Sequence, residues 1–171
     1  MRHRIVFSGI YDLPFKGNRL YEGWELGIIT QAQSGNPLNI ITSNAAFTGN
    51  QTVRPDVTGP IVTTGDPAQW FANPAVFVAS APVHFGNLGR NAVLGPDFVN
   101  TDFSLIKTTK LTETTNIQFR AEMFDIFNHP NFGNPGRVVG SSTFGQITST
   151  LVPTGDFGSS RQIQLAMKFQ F

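Results

Sequence analysis

Arg161-Gln162-Ile163-Gln164-Leu165-Ala166-Met167-Lys168-Phe169-Gln170-Phe171 alternates apolar with polar or small residues at every step from Gln162 onward. Successive side chains of an extended chain point to opposite faces. Ile163, Leu165, Met167, Phe169 and Phe171 therefore share one face, and Gln162, Gln164, Lys168 and Gln170 share the other. At about 3.3 Å per residue and a tilt near 45°, such a strand covers about 25 Å, the height of the apolar band of a transmembrane β-barrel. A half-buried strand in a soluble protein alternates equally well but usually runs for only about five or six residues. The stretch predicts a membrane-spanning strand over 161–171.

The same period recurs upstream. Ile117, Phe119, Ala121 and Met123 oppose Gln118, Arg120 and Glu122. Phe124-Asp125-Ile126-Phe127 then breaks the phase, as a bulge or an exit from the membrane would. Phe103 and Leu105 alternate with Asp102 and Ser104. Trp24, Leu26, Ile28, Thr30 and Ala32 oppose Glu25, Gly27, Ile29, Gln31 and Gln33, and a weaker alternation covers Ile5 to Leu13. The expectation is an all-β chain with strands near 2–14, 23–35, 99–110, 115–128 and 161–171, an antiparallel meander forming part of a transmembrane β-barrel.

The connections support this reading. Residues 14–23 and 111–115 make short turns, whereas 36–98 and 129–160 are long. Compact soluble domains rarely carry loops beyond about 15 residues, but outer-membrane barrels pair short periplasmic turns with long extracellular loops. With Phe171 at the periplasmic rim, both long loops fall outside. Composition agrees: charged residues are 13 % of the 171 and hydrophobic residues 40 %, so Ser, Thr, Asn, Gln and Gly fill the polar positions. The formal net charge of +1 offers no field for nucleic acid, and the absence of cysteine excludes disulfides and thiolate metal sites.

Individual motifs carry little chemistry. His3, His84 and His129 lack a second ligand at metal spacing, so no metal or cofactor is expected. Glu122 and Asp125 fall on opposite faces of a regular strand, which argues against an acid–base pair; Glu122 beside Arg120 reads as a lumen charge pair. No catalytic residue is expected. Asp66-Pro67-Ala68-Gln69-Trp70-Phe71 places an N-cap before proline and predicts a short helix. Trp70, Phe71, Phe85 and Phe132 are candidate loop contacts for a ligand, although packing between loops is the commoner use of such aromatics. Tyr21 and Trp24, next to a short turn, fit an interfacial aromatic girdle.

Several motifs together resemble the C-terminal end of TonB-dependent-receptor-like barrel proteins of the Oar-like type. They are His3-Arg4-Ile5-Val6 with Tyr11-Asp12-Leu13-Pro14, Arg54-Pro55-Asp56, Trp70-Phe71-Ala72-Asn73-Pro74, Phe85-Gly86-Asn87-Leu88-Gly89-Arg90-Asn91, Gly95-Pro96, and above all the run from Phe119 to Pro135. The resemblance implies the C-terminal part of a plugged barrel of about 22 strands in the outer membrane of a Gram-negative type of cell. It also implies lipid contact, uptake of a substrate whose identity is unknown, and coupling to an inner-membrane energy complex. An aromatic last residue on an alternating strand is similar to the signal read by the barrel-assembly machinery, a role that falls on Phe171 and Phe169.

No signal peptide is expected at the start, because Ser8, Gly9 and Asp12 interrupt the stretch after Met1-Arg2-His3-Arg4. With too few strands to close a barrel, this predicts a fragment of a longer protein. The rival expectation is a secreted or surface β-sandwich binding module, which would bury the same apolar face against a second sheet.

Overall fold

The computed structural model describes residues 2–43, 52–80, 84–152 and 160–171. In chain order the strands are β1 (Arg4–Asp12), β2 (Trp24–Gln33), β3 (Pro37–Leu38), β4 (Thr42–Ser43), β5 (Thr52–Val53), β6 (Asp56–Val57), β7 (Phe77–Val78), β8 (Val93–Leu94), β9 (Phe98–Lys110), β10 (Asn116–Phe124) and β11 (Gln162–Gln170). One 3-10 turn, Pro74–Val76, precedes β7. The five long strands form one sheet in the order β1-β2-β9-β10-β11; β3 pairs with β8, β4 with β5 and β6 with β7. No helix among the described residues is long and apolar enough to cross a membrane, which says nothing about strands.

The five-stranded sheet is an antiparallel meander. Arg4 pairs with Gln33 and Asp12 with Glu25; Asn116 pairs with Lys110 on one side and Gln170 on the other. The turns 13–23 and 111–115 close the sheet at one end, and both long connections leave and return at the opposite end. Sequence alternation and strand geometry thus agree. The strand expected to reach 128 stops at Phe124, however. Asp125 adopts φ 47°, a left-handed conformation that Asp tolerates better than most residues and that cannot continue a strand.

The chain divides into two compact units. One comprises Met1–His3, Ser34–Phe98 and Phe132–Leu151; the other comprises Arg4–Gln33, Val99–Asn131 and Val152–Phe171, and holds nearly all of the five-stranded sheet. The first unit has a core of Leu38, Ile40, Trp70, Phe71, Val76, Phe77, Leu88 and Val93. At its centre Phe71, Phe77 and Phe144 form a triangle with ring centroids 5.0–5.4 Å apart, in the tilted and edge-on arrangements that aromatic quadrupoles favour. Gly145 (φ 75°) borders it, and a Cβ there would lie 2.9 Å from Phe71 Cδ2.

The helix expected over 66–71 is not formed. Asp66 Oδ1 accepts from the Ala68 amide in an Asx turn. Trp70 N then donates to Gly145 O at 2.8 Å, and Pro67 O accepts from Ile147 N at 2.8 Å. Local helix nucleation is costly, and these long-range partners win over it. Asn73, a few residues later, caps the 3-10 turn through Ala75 N.

Candidate membrane-facing surface and polar face

Strand register sorts the sheet's side chains onto two faces. Ile5, Phe7 and Tyr11 of β1 pair with Ala32, Thr30 and Leu26 of β2, and Ile117, Phe119, Ala121 and Met123 of β10 pair with Phe169, Met167, Leu165 and Ile163 of β11. On β9 the same face carries Phe103, Leu105, Lys107 and Thr109. The Thr30 and Thr101 hydroxyls meet at 3.2 Å across β2 and β9, which ties the two halves of this face together. It is almost wholly apolar, yet Ile5, Phe7, Tyr11, Leu165, Met167 and Phe169 are exposed, Ile163 to 63 %. A contiguous apolar surface of this extent marks a membrane or protein contact.

The opposite face is mainly polar, with Arg4, Glu25, Gln31, Gln118, Arg120 and Glu122 among its side chains, but it also carries Val6, Ile10, Ile29, Ile106 and Phe124, of which Val6, Ile10 and Ile29 are exposed. Arg4 Nη2 donates to Gln31 Oε1 at 3.0 Å, and Gln118 Nε2 to Thr108 Oγ1 at 3.4 Å. Arg120 Nη1 lies 3.4 Å from Glu122 Oε1, so the two residues form a charge pair on this face. A hollow of about 500 Å³ lies along β1, β2, β9 and β10, lined by Ile10, Ile29, Asp102, Ser104, Glu122 and Phe124 and also by Gly9, Ile28 and Phe103, whose positions belong to the other face. Gly27 lets the Ser104 hydroxyl approach β2 closely, since a Cβ at that position would collide with Ser104 Oγ.

Lys107 is the one charged side chain on the apolar face, and it sits next to the turn end of the sheet. Its ammonium donates to the carbonyls of Arg19 (2.7 Å) and Glu22 and stands 5.5 Å from the centroid of the Trp24 ring. Trp24 Nε1 in turn donates to Leu20 O at 2.9 Å, and Tyr21 is exposed alongside. An amphipathic Lys-Trp-Tyr group at one rim is the arrangement found at bilayer interfaces. Sequence reading placed Trp24 and Tyr21 there but overlooked Lys107, because its turn partners lie far away along the chain.

The structure separates the four loop aromatics. Trp70 and Phe71 lie inside the core of the first unit, with Trp70 Nε1 donating to Leu94 O at 3.2 Å. Phe85 is exposed beside His84, whose Nε2 lies 2.9 Å from Asp56 Oδ2. Phe132 is half-buried and bridges to Thr150. Phe169 stands on the apolar face opposite Ile117, and Phe171 follows the end of β11, fully exposed. The Arg54-Pro55-Asp56 and Phe85–Asn91 stretches brace one another. Asp56 Oδ1 accepts from Asn87 N, Asn87 Oδ1 accepts from Val57 N, and Leu88 N donates to Pro55 O.

Neither the curated proteins nor the solved structures give a match. A family model described as an outer membrane beta barrel domain matches residues 1–164. That match covers most of the chain, and the register shows an apolar exposed face backed by a mainly polar one. The chain belongs to the outer membrane beta barrel domain family and is an outer-membrane β-barrel protein.

Proposed function

We propose that this chain supplies five strands of a TonB-dependent-receptor-like (Oar-like) transport barrel in a Gram-negative outer membrane. The observation that carries the reading is the division of the sheet into an exposed apolar face, set against lipid, and a mainly polar face, set toward a lumen. The lumen face mixes amides, hydroxyls and both signs of charge, which suits passage of a polar substrate. The long connections lie on the outside, the short turns in the periplasm, and an inner-membrane complex supplies the energy. No catalytic step is assigned. Phe85, with its exposed ring, is the loop aromatic best placed to touch a ligand, and the outward rings of Phe169 and Phe171 are read by the assembly machinery.

The sheet's edges support a larger assembly. β1 and β11 each have one neighbour among the described residues. A bilayer does not tolerate unpaired backbone, and outer-membrane barrels of this kind close with an even number of antiparallel strands. In a five-stranded antiparallel meander the first and last strands run the same way. An odd number of further strands must therefore stand between them. A ring of copies of this set would bring β11 of one copy parallel to β1 of the next, so strands of different sequence complete the barrel.

The test is uptake by cells. A strain deleted for the gene is grown on a panel of nutrients, each at limiting and at abundant supply. A defect confined to one nutrient class at limiting supply, and relieved by abundance, is expected of a receptor for a scarce substrate. Growth equal to wild type throughout the panel contradicts the transport role.

A further inference from the structure

The turn between β1 and β2 is held in one shape and yet turns its large apolar side chains outward. Asn18 Oδ1 accepts from the Leu20 amide at 2.8 Å, Asn18 O accepts from the Tyr21 and Glu22 amides at 3.1 Å each, and Glu22 Oε1 accepts from the Gly17 amide at 2.7 Å. From β9, the Lys107 ammonium donates to the carbonyls of Arg19 and Glu22, and from the start of β2, Trp24 Nε1 donates to Leu20 O. Leu20 is nevertheless 75 % exposed, and Phe15 and Tyr21 are exposed with it. Basic residues share this end of the sheet. Lys16, Arg19, Lys107 and Lys110 enter no ion pair among the described residues.

Lys107 is the residue around which these features meet. An ammonium has three N–H donors. Two of them go to neutral carbonyls, and the Trp24 ring at 5.5 Å adds only its quadrupole, so a half-buried positive charge stands on the apolar face with no anion beside it. A charge drawn partly out of water is costly without a counter-charge. Trp and Tyr rings at a barrel rim settle at the depth of the lipid headgroups. The anion that occurs at this depth is the phosphate of a phospholipid, and the third Lys107 donor is free to meet it. The exposed Leu20 and Tyr21 side chains fit the same occupant, because its upper acyl chains would cover them.

We propose that Lys107 binds the phosphate of one phospholipid headgroup at the short-turn end of the sheet, with Leu20 and Tyr21 packed against the upper acyl chains. Arg19, whose carbonyl already touches the Lys107 ammonium, supplies a second cation from its exposed side chain. The turn is thereby a lipid-binding element as well as a connection. The proposal rests on the reading of the apolar face as lipid-facing and stands whether or not the barrel transports anything.

The test uses protein extracted from outer membranes in an uncharged detergent, with whatever strands accompany it, and washed free of lipid. Native mass spectrometry then counts bound molecules during titration with phosphatidylglycerol or with diacylglycerol of the same chains, each with and without millimolar inorganic phosphate. Wild type is expected to hold a phosphatidylglycerol about tenfold more tightly than any diacylglycerol, since charge-assisted hydrogen bonds are the strong ones, and free phosphate should not displace it. Lys107→Met and Arg19→Gln should each weaken that binding about fivefold or more, whereas Lys110→Gln, on the polar face, should leave it unchanged. Equal affinity for the two lipids overturns the headgroup site and leaves the lipid-facing reading intact; binding of neither lipid overturns both. Displacement by inorganic phosphate, unchanged binding in both variants, or an equal loss in Lys110→Gln also overturns the proposal. Should Lys107→Met fail to fold, Arg19→Gln in the exposed turn still decides the matter.

Discussion

The two units dispose of their apolar residues in opposite ways. The first gathers Phe71, Phe77 and Phe144 into a dry triangle and buries Ile40 and Leu38 around it, as any small soluble domain would. The sheet unit places comparable residues, Phe7, Leu165, Met167 and Phe169, on a face that nothing in its own fold covers. Water cannot be the solvent for the second arrangement. The hydrophobic effect organises the first unit from within and, on the proposed reading, the second from outside through lipid, so damage to each should have a different signature.

The largest effect should come from the dry core. Phe71 is 1 % exposed, and Phe71→Ala removes the ring that touches both of its partners. Phe→Ala in a packed core costs about 3–5 kcal/mol. Tryptic cleavage at Arg54, Arg90 and Arg137 should then accelerate at least a hundredfold, while β10 and β11 keep their protection. Equal loss of protection in the strands would show that the two units do not stand independently.

The next effect belongs to the apolar face. Leu165→Arg places a charge near the middle of β11, opposite Ala121. Charges on the lipid face at the bilayer midplane cost roughly 2–4 kcal/mol. The variant should unfold at clearly lower urea concentration or fail to insert, whereas Gln164→Arg on the polar face should match wild type. Equal damage from both would end the distinction between the faces.

The smallest effect is expected at the rim. Lys107 shares the apolar face yet hands its charge to turn carbonyls and the Trp24 ring. Lys107→Met forfeits a cation–π contact worth about 0.5–1 kcal/mol at an exposed site. It should shift the urea midpoint only slightly and leave insertion intact. A loss as large as that of Leu165→Arg would mean that Lys107 does more than anchor the rim.

The same contrast explains what could be read in advance. A strand facing lipid on one side and water on the other writes its environment into every second residue, so β10 and β11 were legible from Ile117, Phe119, Ile163 and Leu165 alone. The first unit has no such period. Its order comes from partners distant along the chain, such as Trp70 N on Gly145 O and Leu88 N on Pro55 O, and the Asp66 motif pointed to a helix that these partners replace. The turn at Asp125 was hidden for a related reason. The break after Phe124 was visible, but the turn that carries the Asp125 amide to Asp102 was not.

Contact between one face of the sheet and lipid can be tested residue by residue because the chain has no cysteine. Single cysteines at positions 163–168 of the membrane-embedded protein would carry an environment-sensitive fluorophore in bilayers containing brominated lipid. Strict alternation is expected: strong quenching at 163, 165 and 167, and weak quenching with ready access to aqueous iodide at 164, 166 and 168. Uniform access to iodide at all six positions, with no quenching by lipid at any, would contradict it.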